Sequence, residues 1–505
     1  MAARSLRLLT FAVALGAAAC AGSDGQRFDP IPGHQRMSPE HERELGFDFD
    51  RQAQKALPMI HDVLVLEFVD DLGQLLVERL GEQPFEYRFR VIANPELNAF
   101  AVPGGYVYFH SGTLLTAGGV EELAGVMAHE LGHVKGDHEA RMAQEAAIPS
   151  LLASLAGIAA AAATHNAAPI IAAAGANVAL QLQYTRKYED EADRLATVFV
   201  TRAGYSPEGL VRFFERIQLE EHKSPDPKTS IPPYLYSHPD VDQRIEVVKG
   251  LARNLHPVAK RPDLDERFRE MQGRLAWCIA NERPSWSATE DFDRTASDPL
   301  LAAAAEARDA GRSDEALAAL DRAAQAVPDD PRVPFARGEI FEARGELEPA
   351  IAAFHRAVVL DPNQAAVLFA LGRVYKAAGN RHKSVFFFEQ AAWRAGEKGP
   401  LRVQADSEVE RGIFPLLEES GFAEATGARL AWSARLGPHW TKYGDYFRVR
   451  WVDPGGAVSE ELRPDRPKRA TLAAVREGPL APGTWRVELV LSKQVVNEAS
   501  VVVKP

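Results

Sequence analysis

The chain has 505 residues, 46% of them hydrophobic and 25% charged. That length exceeds one ordinary core and suggests about three domains, and that balance excludes a disordered chain. The formal net charge is −12, whereas a phosphate-binding protein is ordinarily basic, so nucleic acid is not an expected partner.

Arg4 and Arg7 precede an apolar run, Leu8 to Ala19, about half the length that spans a bilayer as a stable helix. The run ends in small residues, "LGAAAC", and residues 1–19 read as a secretory signal peptide rather than as fold. The cysteine that follows makes the segment resemble a bacterial lipoprotein signal. That resemblance implies a lipidated Cys20, anchored stably through several acyl chains. Ala21 is not the aspartate that retains such proteins in the inner membrane, so the resemblance favours the outer one. Ordinary signal cleavage is the alternative. Residues 20–40 are polar and proline-containing and read as a tether. The other cysteine, Cys278 in "RLAWCIA", reads as a buried small apolar residue. With Cys20 lipidated, no intramolecular disulfide can form.

Residues 41–288 form the next segment. "PFEYRFRVIA" (84–93) alternates as a strand does, and "NAFAVPGGYVYFHSG" (98–112) places Gly104 and Gly105 at a turn between two short β stretches. "GGVEELAGVMAHELGHVKGDHEARMA" (118–143) predicts one amphipathic helix. On it His129 and His133 lie four apart and share a face, where two imidazoles can hold zinc and Glu130 can activate water. A third ligand is needed. The metzincin pattern requires a histidine at 139, but this chain has Glu139, and His138 comes one residue early. "SLLASLAGIAAAAATHNAAPIIAAAGANVALQLQ" (150–183) predicts a helical hairpin, buried or covering the site, with membrane contact as the alternative. In "YTRKYEDEADRLA" (184–196), Glu189 and Asp193 share a helical face. Glu189 can complete a site of two histidines and one carboxylate, leaving a fourth position open, and Asp193 can hold a ligand histidine. Asp190 and Glu191 fall on other faces and are expected to be solvated. An acidic helix start is the plain alternative for this cluster. The mixed nitrogen and oxygen donors suit zinc.

A repeat region follows, expected over 295–438 with a helical cap from 398. Gly311, Gly345 and Gly379 are spaced by 34, as are Pro328 and Pro362, and Gly338 and Gly372. Gly338, Phe341, Ala350, Phe354, Ala357 and Pro362 occupy the small and large positions of a tetratricopeptide repeat. In "GTWRVELVL", Trp485, Val487, Leu489 and Leu491 alternate with Arg486 and Glu488, a strand with one wet face. Residues 440–505 are therefore expected to form a small sandwich-like β domain.

"HELGH", "YEDEAD" and the upstream "NAFAVPGGYVYFHSG" together resemble the gluzincin peptidases of the CAAX-prenyl-protease-1 and HtpX type, over about residues 41–255. The resemblance implies an α+β zincin-like fold with one zinc per chain on His129, His133 and Glu189. It makes Glu130 the catalytic base and Asp193 the partner of a ligand histidine. Asn98, Ala99, Phe100 and Ala101 resemble the edge that pairs with extended substrate backbone, which implies loose selectivity. With its signal and repeats the chain is most similar to the periplasmic BepA-like branch, which degrades stalled β-barrel proteins and assists their assembly. In "SHPDVDQR" that likeness makes His238 an extra ligand that plugs the site, beside Arg244. Capping of the next helix, or transition-state stabilisation, is the alternative role for His238.

The whole is thus expected to be a mainly α, multi-domain zinc endopeptidase. Its clients would be unfolded or stalled envelope proteins. Its repeats would bind outer-membrane assembly machinery, and a lipid anchor would hold it to the membrane. A chaperone or scaffold lipoprotein with little proteolytic activity is the alternative.

Overall fold

The computed structural model describes residues 38–138, 186–223, 234, 238–257, 263–285, 295–396, 399–468, 470–491 and 494–504. The segments expected to be a signal peptide, with Cys20 after it, and an Ala-rich hairpin, and nearly all of the expected tether, fall outside the described residues. The chain divides into two compact units, Met1–Trp286 and Ser287–Pro505. Among the described residues, no helix is long and apolar enough to cross a membrane.

In the first unit, α1 (Pro39–Ala56) begins where the Ser38 hydroxyl accepts the His41 amide and Pro39 takes the first turn. Asp62 caps α2 (Val63–Val77) through the Leu64 and Val65 amides. Its carboxylate also accepts two hydrogen bonds from Arg274 of α8 (Asp265–Ala280), which also buries Cys278. Three strands follow: β1 (Arg88–Ile92), β2 (Ala99–Val102) and β3 (Tyr106–His110). Their order is β1-β3-β2, with β1 parallel and β2 antiparallel to β3, so β2 is an edge. The expected strand at 84–93 shortens to Arg88–Ile92 and is buried throughout. The reason is close cover: a Cβ on Gly73 of α2 would lie 2.2 Å from the Phe89 ring. Gly104 and Gly105, with φ of 84° and 86°, turn β2 into β3 as predicted.

After the short helix α3 (Ser111–Thr116), α4 (Val120–Lys135) runs through the centre of the unit. It is buried on every face from Leu123 to Val134, not amphipathic as its sequence suggests. Glycines allow this. A Cβ on Gly132 would meet the Ala192 carbonyl of α5 (Arg186–Arg202) at 2.8 Å. One on Gly125 would meet the Leu210 amide of α6 (Glu208–Lys223) at 2.7 Å. The helix also stops sooner than expected. Gly136 ends it and Asp137 turns out with φ of 56°, so 118–143 is not one helix. The described part of the unit is completed by α7 (Val241–Ala252) and α8.

Among the described residues the second unit begins with seven helices: α9 (Asp298–Asp309), α10 (Ser313–Ala326), α11 (Arg332–Ala343), α12 (Leu347–Leu360), α13 (Ala365–Ala377), α14 (Arg381–Arg394) and α15 (Pro400–Ile413). The 34-residue period marks two structural positions. Gly311, Gly345 and Gly379 are the left-handed residues between paired helices, with φ of 74°, 72° and 77°. Gly338 and Gly372 are where the paired helix lays a ring against the backbone. A Cβ would sit 2.4 Å from Phe354 in one case and 2.6 Å from Phe388 in the other.

Helix does not continue to 438 as expected. Beyond α15 the chain forms β4 (Leu417–Ala425) and β5 (Arg429–Leu436). Their Ala and Glu content favours helix, but in β5 Leu430, Trp432, Ala434 and Leu436 alternate and are all buried, so packing with period two overrides propensity. The remaining strands are β6 (Phe447–Val452), β7 (Val458–Leu462), β8 (Asp465–Lys468), β9 (Thr471–Glu477), β10 (Gly483–Leu491) and β11 (Gln494–Val503). They make two four-stranded antiparallel sheets, ordered β11-β10-β6-β7 and β4-β5-β9-β8. In β10, Trp485, Val487 and Leu489 are buried as predicted. A register shift after Leu489 then buries Val490 in place of Leu491.

Candidate metal centre

Helix α4 places His129 and His133 on one face, and their Nε2 atoms lie 3.0 Å apart. Helix α5 crosses α4 at the Gly132 contact and brings Glu189 to both. Its Oε2 is 3.5 Å from His129 Nε2 and its Oε1 is 3.4 Å from His133 Nε2. His238, just ahead of α7, joins them. Its Nδ1 is 3.0 Å from Glu189 Oε1 and 3.3 Å from His129 Nε2. One donor atom from each of the four residues lies within 4.8 Å of the others, and all four side chains are buried.

Asp193, one helical turn beyond Glu189, accepts a hydrogen bond from His129 Nδ1 at 2.9 Å. That leaves His129 Nε2 to face inward. Arg244, in the first turn of α7, donates from Nε and Nη2 to Asp193, and its Nη1 is 2.7 Å from Glu189 Oε2. Its guanidinium lies 4.3 Å from the centre of the Phe214 ring of α6. Arg244 is therefore enclosed among carboxylates behind the cluster.

Glu130 is fully buried, and neither of its carboxylate oxygens has a hydrogen-bond partner among the described residues. His238 Nε2 stands 3.7 Å away. The Tyr234 ring stacks on His238 at 4.4 Å, and the Tyr234 amide donates to the Leu97 carbonyl at the entry to β2. In that stretch the Asn98 amide donates to Thr113 Oγ1, and the Asn98 carbonyl accepts from the Thr113 hydroxyl and the His110 amide. Ala99, Phe100 and Ala101 are buried in the edge strand beside α4.

The electrostatics follow from burial set against pairing. Burial alone would protonate Glu189, but Arg244 and then His238 hold its carboxyl well below the ordinary range. Burial likewise opposes a charged Asp193, and Arg244 outweighs it. Burial and Arg244 push His129 down, yet its bonds to Asp193 and Glu189 carry it up to about 9. Burial pushes His133 well down and pushes Glu130 up.

Two residues near the cluster differ from their sequence-based expectation. Asp190 pairs with Arg194 on the exposed side, as expected. Glu191 does not face solvent. Its side chain is 14% exposed and lies 3.4 Å from Nε2 of His138. His138 is not on α4 at all, and its Nδ1 lies 2.9 Å from His133 Nδ1. Spacing alone could not reveal that contact, because it depends on the turn at Asp137.

The donor set fits zinc. Imidazole nitrogens and one anionic carboxylate converge in a closed, buried space, with a second buried carboxylate beside them. Comparison with known proteins agrees. Residues 69–252 match peptidase family M48, and residues 338–379 match a TPR repeat. A relative in Vibrio cholerae is 33% identical over 262 residues, 50% of this chain and 53% of its own. The beta-barrel assembly-enhancing protease of Escherichia coli is 29% identical over 234 residues, 45% of this chain and 47% of its own. The mitochondrial metalloendopeptidase OMA1 of Schizosaccharomyces pombe is 26% identical over 201 residues, 39% of this chain and 57% of its own. The chain thus spans about half the length of the curated relatives it matches. His129, His133, Glu189 and His238 all fall within residues 69–252, and that segment is a peptidase family M48 domain, joined in one chain to tetratricopeptide repeats.

Proposed function

We propose that the chain is a zinc endopeptidase that cuts unfolded or misassembled envelope proteins, in outer-membrane protein quality control. The carrying observation is the convergence of four buried donors within 4.8 Å beside the buried Glu130. The choice of client rests on the beta-barrel assembly-enhancing proteases that share this half of the chain.

Zinc held by His129, His133 and Glu189 would polarise a peptide carbonyl and ease the deprotonation of water. The chain's own groups do the rest. Glu130, its proton affinity raised by burial, takes the proton from the attacking water and passes it to the leaving nitrogen. Asp193 fixes the tautomer of His129, and Arg244 is a positioning residue that holds Asp193 and Glu189. The edge formed by Ala99, Phe100 and Ala101 pairs with extended substrate backbone, whereas both backbone groups of Asn98 are already bonded to Thr113 and His110.

His238 restrains the site at rest. It stands against Glu189 and His129, and Tyr234 meanwhile occupies the Leu97 carbonyl at the head of that edge. Displacing these two residues opens the donor cluster and the edge together. The repeats dock to outer-membrane assembly machinery. A lipid on Cys20 keeps the chain on the periplasmic face of the outer membrane. A scaffold that only binds has no use for a buried Glu130 without a hydrogen-bond partner among the described residues, which disfavours that alternative.

The test is metal content and cleavage of unfolded β-casein by the purified chain, with Glu130→Gln beside it. Zinc near one equivalent in both proteins, and a loss of about 100-fold or more in the variant, are expected. A chain without zinc, or with zinc but with unaltered cleavage in Glu130→Gln, overturns the proposal.

A further inference from the structure

His129 and His133 are steadied differently. His129 meets a carboxylate directly, through Asp193. His133 meets a second imidazole. Several features of the chain combine to put it there. Asp137 adopts a left-handed backbone, with φ of 56°, and this swings His138 back against the end of its own helix. The His138 ring then lies directly over Gly136, where a Cβ would come within 2.4 Å of its Nε2. On α5, Tyr188 stacks on the same ring at 4.5 Å and 21°. The result is a fully buried histidine with Nδ1 2.9 Å from His133 Nδ1 and Nε2 3.4 Å from Glu191 Oε2.

We propose that His138 and Glu191 are positioning residues that fix the metal-facing tautomer of His133 through a two-step relay. This rests on the zinc site proposed above. Two imidazole nitrogens 2.9 Å apart need one proton between them, since two protons or two lone pairs repel. If Nε2 of His133 presents its lone pair to zinc, the proton is on Nδ1 and is donated to Nδ1 of His138. The proton of His138 is then on Nε2, the atom that faces Glu191. Each partner dictates the tautomer of the next, and the carboxylate at the far end favours protons pointing toward it. One helix thus supports both metal histidines: Asp193 supports His129 directly, and Glu191 supports His133 through His138.

Leucine and asparagine have nearly the same shape, but only asparagine offers an oxygen to His133 Nδ1–H. Zinc affinity is measured on the full chain by competition with a chromogenic chelator, alongside thermal melting of the metal-free protein. His138→Leu should bind zinc about 10- to 100-fold more weakly than wild type, and His138→Asn should stay within about threefold. Equal affinity in the two variants, whether both strong or both weak, overturns the relay. If either variant does not fold, Glu191→Leu decides, because it removes the acceptor from a side chain that lies at the edge of the cluster. A loss of about threefold or more supports the relay, and no change overturns it. Wild-type protein that binds no zinc overturns the metal site itself, a different outcome from wild-type binding with no difference between the variants.

Discussion

Arg244 grips Asp193 with two hydrogen bonds, Nε to Oδ2 and Nη2 to Oδ1, each 2.8 Å, and both side chains are buried. The carboxylate that orients His129 is therefore itself held in two places. The same guanidinium also reaches Glu189, so one arginine joins two buried anions. Replacing it with leucine removes that cation from both. Arg244→Leu should lose about 3–5 kcal/mol in metal-free protein, and less when zinc supplies the missing charge. Denaturant unfolding with chelator and with zinc measures both values. An equal loss in the two conditions would mean that Arg244 acts only on packing.

His238 is the residue whose removal should increase activity. If the open form is about one molecule in ten at rest, His238→Ala should raise casein cleavage up to about tenfold. Cleavage no faster than wild type would remove the plug. His238 would then be left as a cap or a transition-state contact.

Asp50 predicts how the peptidase unit responds to acid. It accepts hydrogen bonds from Arg90 at 2.9 and 3.0 Å, from the Tyr108 hydroxyl at 2.8 Å and from Gln54 at 2.6 Å, tying α1 to the sheet. Burial raises its pKa, but the charge of Arg90 and these bonds outweigh burial and keep it below 3.8. A depressed folded-state value means this stability is complete above pH 3.8 and is lost as pH falls through the lower native value. Asp50→Asn should cost about 3 kcal/mol at neutral pH, because it removes the carboxylate charge that Arg90 holds in two hydrogen bonds. The gap from wild type should close as pH drops below that window. A pH series of denaturant midpoints checks it, and a gap constant down to strong acid would refute it.

Glycines in different roles should respond differently to alanine. Gly338→Ala forces a methyl into the Phe354 ring and should cost about 1–3 kcal/mol. Gly345→Ala meets no atom within 4 Å, yet has φ of 72° and should cost about 1–2 kcal/mol through the backbone alone. Gly273→Ala, on the exposed face of α8 with nothing within 4 Å, should instead stabilise by about 0.5–1 kcal/mol. Unfolding free energies of the three variants should fall in that order of sign.

Much of this protein was legible in its residue order, wherever a short period repeats a local geometry. His129 with His133, and Glu189 with Asp193, share faces because four residues advance about one helical turn, and that holds in any tertiary setting. The 34-residue glycine spacing was legible for the same reason, since each repeat needs one left-handed turn and one site of close helix approach. The end of α4 at Asp137 was not legible, because aspartate accepts the left-handed region without announcing it. Strands β4 and β5 were hidden by residues that favour helix until a buried face recruits them. The contacts of His238 with Glu189, Arg244 with Asp193, and His138 with Glu191 join residues about 50 positions apart. Residue order alone therefore determined which chemical groups share each helical face. Tertiary packing decided which faces meet, because the closeness of α4 and α5 at Gly132 is a property of two surfaces and is encoded by neither one alone.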